Sequence, residues 1–295
     1  MISYFVPSKI RFAAFGDWGM KTPSRDLVLS TLELMRFELD FCVLLGDNFY
    51  PDGVQSIDDP QWQHGVVDIF PPSLRLYAVL GNHDYHANAH AQVVYTYLPR
   101  NSIWKMPYYY YTEQFNVGNE TLDMFFIDTC ILSPFFTMDI MNHCGVGSYP
   151  LQMFQQNAQT IRDEHIRWLQ TQLSQSRARW KVVCGHYPIA SGGPHPVSPV
   201  LDNLLFPLFE KHGVDVYFSG HDHNAQVLQK NSVLCVVSGC TSMVVPPRRP
   251  RPSTLFISTV PGQFVTEVTE TTLDLHYVEG IGKISFQHSL VKKGK

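Results

Sequence analysis

Residues 41–50 read Phe-Cys-Val-Leu-Leu-Gly-Asp-Asn-Phe-Tyr. Five apolar residues in succession, stopped by glycine, mark a short strand buried on both faces, the kind found in parallel sheets. The glycine lets the chain turn sharply at the strand's carboxyl end, and Asp47 and Tyr50 arrive just beyond it. The same pattern recurs four times. Gly16-Asp17-Trp18-Gly19 follows an apolar run at 10–15, and Gly81-Asn82-His83-Asp84 follows one at 76–80. Gly185-His186-Tyr187-Pro188 follows 180–184, and Gly220-His221-Asp222-His223 follows 214–219.

Helical stretches separate these runs, at 23–39, 62–69, 87–97, 159–172 and 200–212. Alternating strand and helix implies parallel pairing. Residues 108–115 and 122–127 read as adjacent strands joined through Gly118-Asn119. From residue 225 onward the pattern is all strand (226–229, 233–237, 255–258, 263–268, 273–278, 283–290), which implies an antiparallel sheet. The reading is α/β: a four-layer α/β/β/α sandwich of two mixed sheets flanked by helices, in a single domain over residues 1–295. Residues 133–157 form an irregular stretch too long for an ordinary connector, which points to a functional or mobile segment.

Composition narrows the function. A net charge of −4 over 295 residues argues against a general nucleic-acid-binding surface. No apolar run approaches the roughly 18–20 residues that cross a bilayer, so no membrane span is expected. The first nine residues lack the charged start and long apolar core of a secretory signal. The chain is therefore either cytoplasmic or begins at the mature start of a secreted or lysosomal protein. Cys42, Cys184 and Cys235 sit in strand-like runs and are read as buried thiols. Cys130 and Cys144 could pair across the loop between them.

The glycine-led clusters supply metal donors at strand ends, where open α/β sheets hold their ligands. Asp47 and Tyr50, three apart, are one helical turn from each other and can reach the same ion. His221 and His223, two apart, point the same way in extended chain. Carboxylates and a phenolate are hard donors suited to a trivalent ion such as Fe(III), whereas imidazole and a neutral amide suit Fe(II), Zn or Mn. Tyr50 is the most specific letter in the set.

The five blocks GDWG, GDNFY, GNHD, GHYP and GHDH, in that order, resemble the purple acid phosphatases of the calcineurin-like metallophosphoesterase superfamily. The spacing and length are similar to the small, tartrate-resistant form, from about Arg11 to Leu290. The resemblance implies that Asp17, Tyr50 and His223 bind Fe(III), that Asn82, His186 and His221 bind a divalent ion, and that Asp47 bridges the two. It implies that His83 is the catalytic histidine and His195 a second, substrate-side one. The implied reaction is hydrolysis of phosphate monoesters at mildly acidic pH by a hydroxide that the metal pair activates. The expected partners are phosphomonoester substrates, and the expected state is a monomer. One alternative is a phosphodiesterase with two divalent metals, against which Tyr50 argues. Another is a catalytically silent scaffold or complex subunit, against which the full ligand set argues.

The remaining charged residues read more plainly. Asp222 is expected to face solvent or cap a turn, and Asp84 to support its loop backbone or orient a neighbouring histidine. His86 and His90 are read as exposed, and His165 as structural. The basic stretch Pro246-Pro247-Arg248-Arg249-Pro250-Arg251-Pro252 could steer anions or dock a partner, with a solvated loop the plainer reading.

Overall fold

The structure is a computed structural model that describes residues 8–134 and 149–293. Its strands sort into two seven-stranded sheets. The first is built on β1 (Lys9–Phe15), β2 (Phe41–Leu45), β3 (Arg75–Val79) and β4 (Trp104–Lys105), all parallel. The second is built on β5 (Tyr111–Val117) and β6 (Glu120–Phe126), an antiparallel hairpin, followed by β7 (Trp180–Cys184) and β8 (Val216–Ser219), parallel to β6.

The late strands do not make a sheet of their own, as their run in sequence suggested. β9 (Ala225–Lys230), β10 (Val233–Ser238) and β11 (Thr254–Ser258) extend the second sheet, with β10 parallel to β8. β12 (Gly262–Thr269), β13 (Thr272–Glu279) and β14 (Ile284–Val291) form a meander that covers the free edge of β1. An uncovered β1 would leave a row of buried backbone donors and acceptors unpaired, and the meander satisfies them. Both sheets are therefore mixed, and helices flank them.

The core lies where the sheets face each other. Phe12 of β1 stacks on Phe41 at 5.1 Å and meets Phe218 of the second sheet edge-on at 6.0 Å. Phe41 stacks in turn on Phe115 across the interface at 4.5 Å. Aromatic pairs of this geometry add to area burial. Cys42, Cys184 and Cys235 are buried as expected.

The helix Pro23–Met35 starts on Thr22, whose side chain accepts from the Arg25 amide. Pro199–His212 starts on Ser198 and ends on Gly213 at φ 67°, where glycine carries no Cβ penalty. The stretch read as irregular becomes helix at Tyr149, because the helix Tyr149–Gln175 begins ten residues before the expected start. Its first turns, Tyr-Pro-Leu-Gln-Met-Phe, follow a long run without helical period and are separated from Ile161 by a polar stretch at 155–160, which hid the start. Cys130 is buried, while Cys144, its expected partner, and the remainder of that loop lie outside the described residues. Among the described residues no helix is long and apolar enough to cross a membrane.

His165, on the long helix, is fully buried and stacks on Tyr110 with ring centroids 4.1 Å apart. Neither ring nitrogen has a hydrogen-bond partner, and burial pulls its pKa down from 6.5 to about 3. The fold thus holds His165 neutral while the unfolded chain takes up a proton near pH 6.5. Stability should fall through this residue as pH drops from 6.5 towards 3, by about 1.4 kcal/mol per pH unit. Urea denaturation at pH 7 and pH 5 should show a smaller acid loss for His165→Phe than for the parent, by up to about 2 kcal/mol.

Candidate metal centre

The five glycine-led clusters sit at the carboxyl ends of β1, β2 and β3 in one sheet and β7 and β8 in the other. Because the sheets pack face to face with these strands parallel within each, all five loops reach one edge of the sandwich. Three residues there adopt left-handed backbone: Asp17 at φ 56°, Asp47 at φ 52° and His221 at φ 67°. Each such residue costs on the order of 1–2 kcal/mol, and sites of this kind cluster where function constrains the chain. Two glycines make the approach possible. A Cβ on Gly46 would lie 2.6 Å from His186 Nδ1, and one on Gly81 would lie 2.2 Å from Asp47 Oδ1.

The donor atoms converge in two groups. On one side Asp17 Oδ1 faces His223 Nε2 at 3.3 Å. That contact is close enough for attraction but poorly directed, so this buried oxygen accepts no hydrogen bond. On the other side His186 Nε2 lies 3.1 Å from Asn82 Oδ1 and 3.6 Å from Asp47 Oδ2. Asp47 stands between the groups. Its Oδ2 accepts from the Tyr50 hydroxyl at 2.8 Å, and its Oδ1 from the His83 amide at 2.9 Å. Ligand atoms of Asp17, Asp47 and His186 lie within 4.8 Å of one another, and all three residues are buried. Carboxylates, a phenol, imidazoles and an amide, aimed at one another with a buried oxygen left over, are a donor set that fits cations.

The local routes differ from the simple ones read from spacing. Residues 46–50 turn without forming a helix, so Tyr50 reaches Asp47 across a non-helical turn. His221 and His223 lie in a bend with His221 left-handed, not in extended chain. Both nevertheless line the same cleft of about 360 Å³, with Asp47, Asn82, His83 and His195. The His221 ring lies 5.2 Å from that of His186 and 4.3 Å from that of His195.

Burial and charge act together here. Burial would raise the Asp47 pKa, but the neighbouring His186 and His83 outweigh it and hold it low. Burial would lower that of His186, yet Asp47 and Asp17 outweigh it and hold it high. For His221 burial and the other histidines both act downward, so it stays neutral with a lone pair available. For Tyr50 burial and Asp47 both act upward, so the phenol keeps its proton in the absence of a cation.

A ring of supporting contacts orients these donors. His186 Nδ1 donates to the Leu45 carbonyl at 2.8 Å, which turns Nε2 towards the site. Asp84, fully buried, accepts from the amides of Gly81, Asn48 and Phe49 and from Gln92 Nε2, so its role is backbone support. Thr129 Oγ1 accepts from the amides of His186 and Tyr187. No sequence signal marked it.

Asp222 is the main correction. It is fully buried rather than solvent-facing, and its Oδ1 accepts from His195 Nδ1 at 2.9 Å and from the His195 amide at 3.1 Å. Its Oδ2 accepts from the Ser191 hydroxyl. The left-handed turn at His221 swings the intervening carboxylate inward, into space that Gly193 leaves open; a Cβ there would lie 2.2 Å from Asp222 Oδ2. The glycine pair 192–193 was the available clue. His86 is also less exposed than read, with a side chain only 2 % accessible, 3.5 Å from Asp52. His90 is exposed as expected.

Asp222→Ala would strip a buried hydroxyl and two N–H groups of their acceptor. Equilibrium unfolding should show a loss of about 2–4 kcal/mol, with Asp222→Asn, which keeps one acceptor oxygen, costing clearly less.

A model described as calcineurin-like phosphoesterase matches residues 10–225. Over 317 residues the chain is 30% identical to tartrate-resistant acid phosphatase type 5 of Rattus norvegicus, covering 97% of this chain and 91% of the relative. A solved structure titled GAP50, the anchor in the inner membrane complex of Plasmodium, matches with TM-score 0.83 and 28% identity, over 98% of this chain and 90% of that one. A purple acid phosphatase from yellow lupin (Lupinus luteus) seeds matches with TM-score 0.71 over 97% of this chain and 54% of that one. Its 13% identity shows likeness of fold alone.

Proposed function

The chain belongs to the calcineurin-like phosphoesterase family, and on that premise we propose that it is an acid phosphatase that hydrolyses phosphate monoesters at a pair of metal ions. The observation that carries this reading is the division of donors about Asp47. Asp17 and His223 lie together on one side, and Asn82 and His186 on the other, with Tyr50 at hydrogen-bond distance from Asp47.

In this reading Asp17, Tyr50 and His223 hold Fe(III), Asn82, His186 and His221 hold Fe(II), Zn or Mn, and Asp47 bridges. The harder donors fall in the first group and the softer in the second. Bound there, the two cations neutralise phosphate charge and make water acidic enough to serve as nucleophile near neutrality or below.

The protein's own groups then do the positioning. His83 Nδ1 lies 2.6 Å from the Pro51 carbonyl, so that nitrogen donates and Nε2 is left for the cleft. A proton on Nε2 can pass to the leaving oxygen of the ester. Asp222 fixes His195 in the same way, leaving its Nε2 to hold a phosphate oxygen. No described lysine or arginine lines the cleft, so the histidines and the cations carry all of the phosphate recognition there.

A second reading, a silent scaffold, draws on the likeness to a structure titled as an anchor in a membrane complex. It requires none of this donor geometry. The two readings separate on one preparation. Purified protein should carry two metal ions per chain, absorb in the visible through tyrosinate-to-iron charge transfer, and turn over p-nitrophenyl phosphate. Tyr50→Phe should bleach the colour. His83→Ala should lower turnover about a hundredfold or more while metal content holds. A colourless, metal-free and inactive protein would leave the scaffold reading standing.

A further inference from the structure

We propose that residues 246–252 form a second anion subsite on the rim of the cleft, selecting phosphopeptides that carry acidic residues beside the phosphoryl group. The inference rests on the phosphatase reading above and names its substrate class.

Hydrogen bonds hold this stretch at both ends. The Val245 amide donates to the His223 carbonyl at 2.7 Å, and the Arg248 and Arg249 amides donate to the Gly192 carbonyl at 3.0 and 3.2 Å. Arg251 Nε donates to the Ser191 carbonyl at 3.1 Å. The stretch thus runs from one wall of the cleft, at His223, to the loop that carries the other, at His195. Gly192 is three residues from His195, which limits their separation to about 11 Å.

Charge supplies the second step. Arg251 is engaged with the Ser191 loop, but Arg248 and Arg249 are exposed, and among the described residues neither forms an ion pair. They place two guanidinium groups side by side on a chain of net charge −4. Prolines 246, 247, 250 and 252 restrict the backbone on both sides, so the main chain that carries the cations loses little further entropy on binding. The cleft itself has no lysine or arginine among its described lining residues. Negative charge beyond the scissile phosphate can therefore be read only outside it, and this rim offers guanidinium groups suited to carboxylates. A phosphopeptide carries such carboxylates on the residues beside its phosphoryl group, whereas p-nitrophenyl phosphate has none.

The test compares the parent with the double variant R248S/R249S on three substrates: p-nitrophenyl phosphate, a phosphoserine peptide flanked by Asp and Glu, and ADP. For the acidic peptide, kcat/KM should fall about three- to tenfold in the variant. Its dependence on NaCl should flatten. Turnover of p-nitrophenyl phosphate should stay within twofold. Three results would overturn the proposal: an equal fall on all substrates, which would make the loop a mere support for His195; no fall on the peptide; or a fall confined to ADP. A parent that fails to turn over even p-nitrophenyl phosphate would overturn the phosphatase reading, and this inference with it.

Discussion

Buried carboxylates at one edge of a two-sheet sandwich set the terms for everything around them. Asp17, Asp47, Asp84, Asp128 and Asp222 are each at most 1 % accessible, and a buried charge is tolerated only where donors or counter-charges meet it. The fold meets three of them with protons. Asp84 gathers loop amides, and Asp222 gathers His195 and Ser191. Asp128 caps the helix Thr129–Leu132 and accepts from the Tyr85 hydroxyl, with burial raising its pKa to about 6. Asp47 also accepts from the Tyr50 hydroxyl and the His83 amide, and Asp17 from the His221 amide, but these two differ in what else they face. They face each other and two histidines, and Asp17 keeps one oxygen without a donor. The first three are scaffolding, whereas Asp17 and Asp47 are the pair that the proposed reading assigns to the cations.

The scaffolding also explains how loops from two sheets hold a common register. Asp128 starts a short helix whose first residue, Thr129, receives the His186 and Tyr187 amides. His186 in turn donates from Nδ1 to Leu45, at the end of β2 in the opposite sheet. The His221 amide donates to Asp17 Oδ2 across the same gap, at 2.8 Å. These contacts tie β7 and β8 to β1 and β2 where the left-handed residues turn the chain, so strain in one loop is held by hydrogen bonds from another.

The strands carrying the site were legible because burial on both faces leaves an unbroken apolar run, and glycine marks where each run stops. β1, β2, β3, β7 and β8 all lie where those runs were read. The pairing of β9 to β14 was not legible, since hydrophobic period reveals a strand but not the edge it joins; that choice belongs to the unpaired edges of β1 and β8. The site divided in the same way. Donor types stand in the sequence as letters, so Asp17, Asp47, Asn82, His186, His221 and His223 could be picked out. The role of Asp222 depended on a sign of φ at His221 and on a missing Cβ at Gly193, and neither can be read before the loops meet. Thr129 had no signal at all, because its hydroxyl acts only once β7 has been placed beside it.

The cluster also bears on the choice between an enzyme and an inert support. Left-handed backbone at three non-glycine residues opposes folding by several kcal/mol taken together. A protein needing only a rigid surface gains nothing from that arrangement, since apolar or hydrogen-bonded residues would fill the same edge at lower free energy. Cations would reverse the balance, because whatever binds the folded state and not the unfolded one stabilises it by mass action. Stability and chemistry then draw on the same atoms. The residues whose backbone makes this edge costly are those that would hold the ions, and the physical case for catalysis lies in that coincidence rather than in any one residue.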